Sequence, residues 1–333
     1  MKGYVGKRIQ KVDALDKVLG KPLYSVDLHM EGMLYLKVLY SPHPHALIKK
    51  VDASKARELP GVVKVITAAD VPWLKTYGLI FKDQEVLVKE KSRYLGDRLA
   101  VVAAEDEKTA RQALKLIEVD YEPLEVISDP IRAMEPDAPR IHESGQVLCD
   151  HPYNKGNVLA IDHLVKGDVE AGFAEADHIF ENEFRTQHVD HVALELEAGM
   201  AFYDSDTDCY TLWAPCQWTH DIQTDVARVL GIRMDQLRIV QPGAIGGAFG
   251  RREDISVHII LPLMAKLTGR PVKWAMTRGE SMIMMTKRTP FIFRLKTGIK
   301  KDGTITAWQS EVIGDSGAYA STAGSIIHQA MYV

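Results

Sequence analysis

Cysteine is scarce in this sequence, and its three cysteines stand apart at Cys149, Cys209 and Cys216. Such scattered cysteines form neither a disulfide framework nor the paired spacing of a zinc or iron–sulfur site. No apolar run approaches the roughly 20 residues that cross a bilayer. The charged N-terminus also lacks the apolar stretch of a signal peptide. We therefore expect a cytoplasmic protein that does not bind a membrane.

An excess of charge of either sign is also missing. The chain has 41 Lys and Arg against 45 Asp and Glu, which gives a net charge of −4. This balance provides no basic field for nucleic acid or anionic lipid. With 46% hydrophobic and 26% charged residues, the composition is that of an ordinary soluble globular protein. Its 333 residues suffice for two or three domains.

The most distinctive segment is residues 241–254, QPGAIGGAFGRRED, called the glycine loop below. A β-leaning run precedes it, and a helical pattern begins near Asp254. Glycine lets backbone amides approach a ligand closely, and a helix start beyond favours an anionic or electron-rich group. The spacing matches neither the dinucleotide motif nor the P-loop, whose lysine and hydroxyl residue are missing. A tight turn between strand and helix is the alternative interpretation.

Periodicity predicts two α/β units joined by a linker. Residues 15–127 contain a strand–helix–strand pattern with Asp106 as the helix N-cap, after an N-terminal arm at 1–14. Residues 128–160 contain four prolines and few regular patterns, so we expect an extended linker. Residues 161–333 predict a second α/β domain. Its last residues form an apolar helical pattern without a cap, so we expect this domain to be incomplete.

Local patterns predict three further features. Residues 22–40 are rich in β-branched and aromatic residues and predict strand structure. Gly231 is expected to end a helix at about 219–230, and Asp302–Gly303 has the pattern of a hairpin turn.

Ordered motifs along nearly the whole chain carry a family resemblance. In chain order they are KRIQKVD at 7–13, GKPLYSVD at 20–27, SPHPHA at 41–46, YLGDRLAVVAA at 94–104, VDYEPL at 119–124, ELE at 195–197, APCQ at 214–217, GGAFG at 246–250, TGRPV at 268–272 and GDSGAY at 314–319. Together they resemble the molybdenum-binding subunit of the xanthine dehydrogenase/aldehyde oxidase family of molybdenum hydroxylases. The first five resemble its hammerhead α/β domain, and the others resemble its first molybdopterin-binding domain.

The resemblance implies roles for individual residues. Gln217 is expected to hydrogen-bond an oxo ligand of molybdenum, and Phe249 is expected to lie beside the metal. A neutral amide can donate to an oxo group, and glycine amides can approach such a ligand. Without the family register, a structural amide is the default interpretation of Gln217. The residues that match the cofactor loop are Gly246, Gly247, Ala248, Phe249 and Gly250.

Glu253 is the position that most separates the branches of the family. The resemblance implies a purine contact there, whereas aldehyde-oxidising relatives generally have an apolar residue. A carboxyl group can accept from, or when protonated donate to, a heteroaromatic ring. Alternatively, Glu253 and Asp254 are acidic residues favoured at a helix N-terminus. The sequence departs from the family at Ala248, usually glycine, and at Arg251 and Arg252, usually glycine and lysine. One interpretation of Arg251 is a cation that faces the substrate or the pterin phosphate.

A cluster of possible metal ligands precedes these motifs. His188, Asp190, His191 and Glu195 lie within eight positions. Their spacing does not put all of them on one helix face, and the segment has the pattern of a strand followed by a turn. We therefore expect packing contacts here and not a metal site.

The resemblance implies an oxidoreductase that hydroxylates an electron-poor carbon with oxygen from water. A purine or related N-heterocycle is the expected substrate, and molybdopterin the expected cofactor, with its cytosine dinucleotide form one option. We expect 2Fe–2S clusters and FAD on partner subunits. The family's catalytic base lies beyond the matched part, so this chain alone is expected to be inactive without a completing C-terminal part. The alternatives are an aldehyde or aromatic-acyl oxidoreductase, or a non-catalytic pterin-binding or structural subunit.

Overall fold

A computed structural model describes residues 3–143 and 156–330. The predicted α/β class is confirmed, whereas residues 144–155 of the predicted linker lie outside the described residues. The strands are β1 (Leu34–Tyr40), β2 (Ala46–Asp52), β3 (Val62–Thr67), β4 (Lys91–Ser92), β5 (Arg98–Ala104), β6 (Glu118–Pro123), β7 (His178–Arg185), β8 (Ala198–Asp204), β9 (Cys209–Trp213), β10 (Leu237–Val240), β11 (Val272–Ala275), β12 (Phe291–Ile299) and β13 (Ile305–Gly314). The α-helices are α1 (Ala14–Val18), α2 (Ser54–Arg57), α3 (Glu107–Leu114), α4 (Pro130–Ala133), α5 (Val169–Ala174), α6 (Thr219–Leu230), α7 (Ser256–Thr268), α8 (Arg278–Met284) and α9 (Ala323–Gln329).

A seven-stranded mixed sheet joins the two halves of the chain, with the strand order β10-β9-β8-β11-β1-β5-β3. Its central pairing is parallel, with Leu34 of β1 opposite Val272 of β11. Backbone hydrogen bonds thus connect the predicted first unit, 15–127, to the second, 161–333. The two domain bounds stay predictions, since strands from both segments share this sheet.

β5 is buried along its whole length because both of its faces are covered. Alternate residues of a strand point to opposite faces. Val101 and Ala103 belong to the main hydrophobic core, and Val102 belongs to a second cluster with the buried alanines of α3. The Asp106 side chain caps α3 as predicted, because it accepts a hydrogen bond from the Thr109 backbone N–H at 2.8 Å.

Helix α7 follows the glycine loop and is largely buried against the sheet, mainly against β8. The helix runs through Pro262 and ends at Gly269, whose φ of 64° is the left-handed conformation favoured at helix C-termini. Because α7 is packed along most of its length, it gives the exit of the glycine loop a rigid support.

Two three-stranded sheets complete the part of the fold that the structure describes, with the orders β13-β12-β7 and β4-β2-β6. The predicted hairpin at Asp302 and Gly303 is β12–β13, and Gly303 has a φ of 88°. The β-rich pattern predicted over 22–40 is wrong at its start, where Ser25–Asp27 forms a 3-10 helix and the strand begins only at Leu34. Among the described residues, no helix has the length and apolar content needed to span a membrane.

Candidate functional site

The glycine loop begins directly after β10 and ends in a short 3-10 helix, Arg251–Glu253, which leads into α7. Gly247 and Gly250 have φ values of 108° and 93°, and Phe249 has a φ of 57°. A left-handed backbone costs glycine little, but it strains a bulky aromatic residue by about 1–3 kcal/mol. The contacts around the loop must therefore hold Phe249 in this conformation.

Close packing explains glycine at Gly246. A Cβ atom there would lie 2.6 Å from the Cβ of Glu195. Glu195 also binds both backbone polar groups of Gly246. Its Oε2 accepts a hydrogen bond from the Gly246 N–H at 2.7 Å, and its own backbone N–H donates to the Gly246 carbonyl at 3.1 Å. Segment 193–197 thus fixes the position of the loop backbone.

Gln217, Gly250 and Glu253, which the sequence analysis selects separately, form one hydrogen-bonded cluster. The Gly250 N–H donates to Oε1 of Gln217 at 3.1 Å, and Nε2 of Gln217 donates to Oε1 of Glu253 at 3.2 Å. The indole N–H of Trp218 donates to the same Oε1 at 3.1 Å. The glutamine therefore links the loop to the glutamate through its two amide atoms.

The tip of the loop, residues 247–249, presents backbone N–H groups without hydrogen-bond partners among the described residues, next to an exposed aromatic ring. The backbone N–H groups of Gly247, Ala248 and Phe249 make no hydrogen bond with any residue that the structure describes. The Phe249 side chain is 72% exposed. Exposed amide donors beside an exposed aromatic ring are features of a surface that binds an electron-rich or anionic ligand.

Arg251 is buried in ion pairs beneath the loop, so the interpretation of a cation facing substrate or pterin phosphate is wrong. Its side chain is fully buried. It forms an ion pair of 2.6 Å with Asp190 and another of 2.6 Å with Glu197. It also donates to the Ser281 carbonyl at 2.9 Å. Two nearby carboxylates offset the cost of burying the guanidinium.

Arg252 is also buried and fastens the loop to the same segment. It forms an ion pair of 3.0 Å with Glu197, and it donates to the Glu195 carbonyl at 2.8 Å and to the Gly247 carbonyl at 3.3 Å. Arg251 and Arg252 therefore share Glu197 as a partner. Together they hold the glycine loop against the acidic segment 190–197, called the scaffold below.

In the cluster of His188, Asp190, His191 and Glu195, two members contribute to this scaffold, because Asp190 pairs with Arg251 and Glu195 binds Gly246. His188 instead lies 3.5 Å from Asp315. Burial raises the pKa of Asp190, but its contacts with Lys287 and Arg251 outweigh that effect and hold the pKa below its ordinary value. Among residues 3–143 and 156–330, no group of three or more His, Cys, Asp or Glu side chains could hold a metal.

An open cavity of about 910 Å³ lies elsewhere, between β7, β12 and α9. Its lining includes Arg185, Arg288, Phe291, Phe293 and Ile326. None of the predicted site residues lines it, so the glycine loop forms a surface of its own on the part of the chain that is described.

Sequence reasoning missed Trp218 and the structural roles of Glu195 and Glu197. Trp218 follows Gln217 directly, and an aromatic residue beside a predicted ligand residue was a usable indication. Glu195 and Glu197 alternate in an extended segment, so both can face one side. Their arginine partners are more than 50 positions away, and no local pattern indicates that pairing.

Comparison with known proteins identifies both halves of the chain. Residues 19–125 match the "Aldehyde oxidase and xanthine dehydrogenase, a/b hammerhead domain", and residues 150–333 match the "Molybdopterin cofactor-binding domain". The chain is 37% identical over 315 residues to a probable xanthine dehydrogenase subunit from Bacillus subtilis (strain 168), covering 95% of this chain and 40% of that relative. It is 37% identical to the "Nicotinate dehydrogenase large molybdopterin subunit" of Eubacterium barkeri, covering 98% of this chain and 74% of that one.

The fold has solved counterparts as well. The "Aldehyde Oxidoreductase from Desulfovibrio gigas" superposes with a TM-score of 0.84 at 30% identity, covering 95% of this chain and 35% of that chain. The present chain thus spans well under half of the length of two of these three proteins. The hammerhead match, the cofactor-domain match and these identities agree with one another. The chain belongs to the aldehyde oxidase and xanthine dehydrogenase family of molybdenum hydroxylases, as a molybdopterin-binding large-subunit sequence.

Proposed function

We propose that this chain supplies the glycine loop, Gln217 and Glu253 to a molybdenum hydroxylase that oxidises a purine or a related N-heterocycle. The observation that supports this proposal is the single cluster formed by Gln217, Gly250 and Glu253 beside a loop tip with unpartnered amides. A carboxylate hydrogen-bonded to Gln217 at a predicted cofactor site is well placed to orient a substrate.

The residues present fit a molybdenum pterin. Backbone donors at Gly247, Ala248 and Phe249 have no partner among the described residues, and the Phe249 ring is exposed next to them. Such donors stabilise electron-rich ligand atoms in a preorganised site. In this proposal Gln217 and Phe249 lie next to the metal's own ligands, and Gly246 to Gly250 line the cofactor. When bound, the cofactor supplies the redox chemistry that inserts oxygen from water.

Glu253 has the task of holding the substrate. Its Oε1 accepts from Gln217 and Trp218, whereas its Oε2 accepts no hydrogen bond from the described residues. A carboxylate oxygen with free lone pairs recognises a ring N–H, which purines such as hypoxanthine possess and aldehydes lack. Relatives named for xanthine and nicotinate dehydrogenation agree with a heterocyclic substrate.

The proposed activity requires components outside this chain. The catalytic base and further pterin contacts are assigned to the remainder of the large subunit or to a completing subunit. The 2Fe–2S clusters and FAD are assigned to partner subunits, which pass electrons to an acceptor. The pterin's nucleotide form includes the cytosine dinucleotide as one option.

Glu253→Val tests the substrate assignment in the complete enzyme complex. We expect kcat/KM for hypoxanthine to fall by roughly 100-fold, because a site built to accept an N–H loses its acceptor. Turnover of acetaldehyde should stay within about threefold of wild type, since acetaldehyde has no N–H to offer. Steady-state kinetics with both substrates measure the two effects.

The control is Glu311→Val, which removes an exposed surface carboxylate that pairs with Arg294 on the β12–β13 hairpin. It should leave both activities at the wild-type level. Equal turnover of hypoxanthine by wild type and Glu253→Val would remove the substrate role of Glu253. Wild-type oxidation of acetaldehyde but not hypoxanthine would favour the aldehyde oxidoreductase alternative.

A further inference from the structure

Trp218 stands at the N-cap position of α6, directly after Gln217. Its side chain is 49% exposed, and its indole N–H donates to Glu253 at 3.1 Å. Indole has one polar group, and the rest of the ring is an apolar face. Because the indole N–H is already hydrogen-bonded to Glu253, the exposed ring has no unsatisfied donor, and its apolar face can pack against a ligand.

The carboxylate that Trp218 contacts is held asymmetrically. Both the indole of Trp218 and the amide of Gln217 donate to Oε1 of Glu253, and no described residue donates to Oε2. Two donors on one oxygen restrict rotation of the carboxylate about its side-chain bonds. The second oxygen therefore keeps a fixed direction.

The backbone beneath this carboxylate is also fixed. Glu253 is the last residue of the 3-10 helix whose other two members, Arg251 and Arg252, are buried in ion pairs. No described Lys, Arg or His side chain forms an ion pair with Glu253 itself. Its charge remains available to an N–H donor.

We propose that Trp218 is a specificity-determining residue for planar N-heterocycles. It holds Oε1 of Glu253 so that Oε2 accepts a ring N–H, and its exposed indole face stacks on the plane of the same ring. Offset stacking of flat rings adds to the affinity that the hydrogen bond provides. This inference rests on the proposed function, and it adds the residue that selects a flat ring over a small aldehyde.

Trp308 supplies the matched control. It is 55% exposed on β13, similar to Trp218, and its indole makes no hydrogen bond with the described residues. The two tryptophans are therefore similarly exposed, but of the two only Trp218 is hydrogen-bonded to a predicted site residue, Glu253. A role specific to Trp218 must be missing from Trp308.

The test compares Trp218→Phe, Trp218→Leu and Trp308→Leu in the complete enzyme complex. Trp218→Leu removes ring and donor, so we expect KM for hypoxanthine to rise about tenfold while kcat stays within about twofold. Trp218→Phe keeps a ring but loses the N–H, and KM should rise by about threefold. KM for acetaldehyde, and both KM values of Trp308→Leu, should not change.

Quenching of tryptophan fluorescence by hypoxanthine provides a second reading that does not need turnover. Hypoxanthine should quench wild type and Trp308→Leu more than Trp218→Phe. Quenching without turnover would reject the proposed reaction and support the Trp218 site. Turnover with an unchanged KM in Trp218→Leu would reject the Trp218 role alone, as would an equal rise in KM for acetaldehyde. Neither quenching nor turnover would overturn both proposals.

Discussion

Replacing Arg251 with methionine should lower the free energy of unfolding by roughly 3–5 kcal/mol, the usual cost of removing one partner of a buried ion pair. Arg251 is fully buried and contacts both Asp190 and Glu197. Methionine fills much of the volume of the arginine side chain, but it carries no charge. Asp190 and Glu197 then stay buried with one cationic partner fewer. The cost comes from that uncompensated charge and not from a cavity.

Urea denaturation of the purified chain measures this difference. Lys287→Met is the matched control, because Lys287 also pairs with Asp190 at 2.9 Å but its side chain is 29% exposed. Water screens that charge, so we expect the control to lose about 1 kcal/mol or less. If Arg251→Met were as stable as Lys287→Met, the network under the loop would not be a stabilising feature.

Acidification from pH 6.5 towards pH 4 should remove about 3 kcal/mol of stability through His258 alone. Burial in α7, with a smaller contribution from the nearby charge of Arg252, lowers the pKa of His258 from 6.5 to about 4. In the unfolded chain the imidazole becomes protonated near pH 6.5, whereas in the folded chain it stays neutral down to about pH 4. This contribution is therefore complete above pH 6.5 and is lost as the pH falls towards the folded value.

His258→Leu isolates this effect, because leucine does not titrate. The pH dependence of the unfolding free energy should be flatter in the variant than in wild type between pH 6.5 and 4. Burial raises the pKa of Asp97 to about 6, and this group stabilises the fold as the pH falls through the same range. The quantity to compare is therefore the unfolding free energy of the variant minus that of wild type at each pH, because the Asp97 contribution cancels in this difference. Exposed His220 gives the control His220→Leu, and an identical pH slope in His258→Leu and His220→Leu would contradict the account.

Local patterns were enough to predict several elements. The Asp106 cap, the glycine that ends α6 and the Asp302–Gly303 hairpin depend on interactions within a few residues, so the chain shows them directly. The pairing of β1 with β11 joins residues more than 230 positions apart. No periodicity records which strands become neighbours, and this pairing was not predicted.

The site shows the same division. Gln217 and Glu253 were selected from the family resemblance, and in the structure they are joined by a direct hydrogen bond, with Gly250 bound to the same glutamine. The sequence marks Arg251 and Arg252 only as departures from the family pattern, but the structure buries both. Their burial depends on the acidic segment at 190–197, and only the tertiary fold reveals that charge balance.

The molybdenum and pterin content of the complex purified from its source organism is the most direct test of the central claim, that this chain's glycine loop and Gln217 bind the cofactor. Elemental analysis gives molybdenum, and fluorescence of the oxidised, extracted pterin gives the cofactor. We expect both in stoichiometric amounts to this chain, and a marked loss of both in Gly246→Val, whose side chain would collide with Glu195. An intact complex without molybdenum or pterin, or a fully loaded Gly246→Val complex, would contradict the claim.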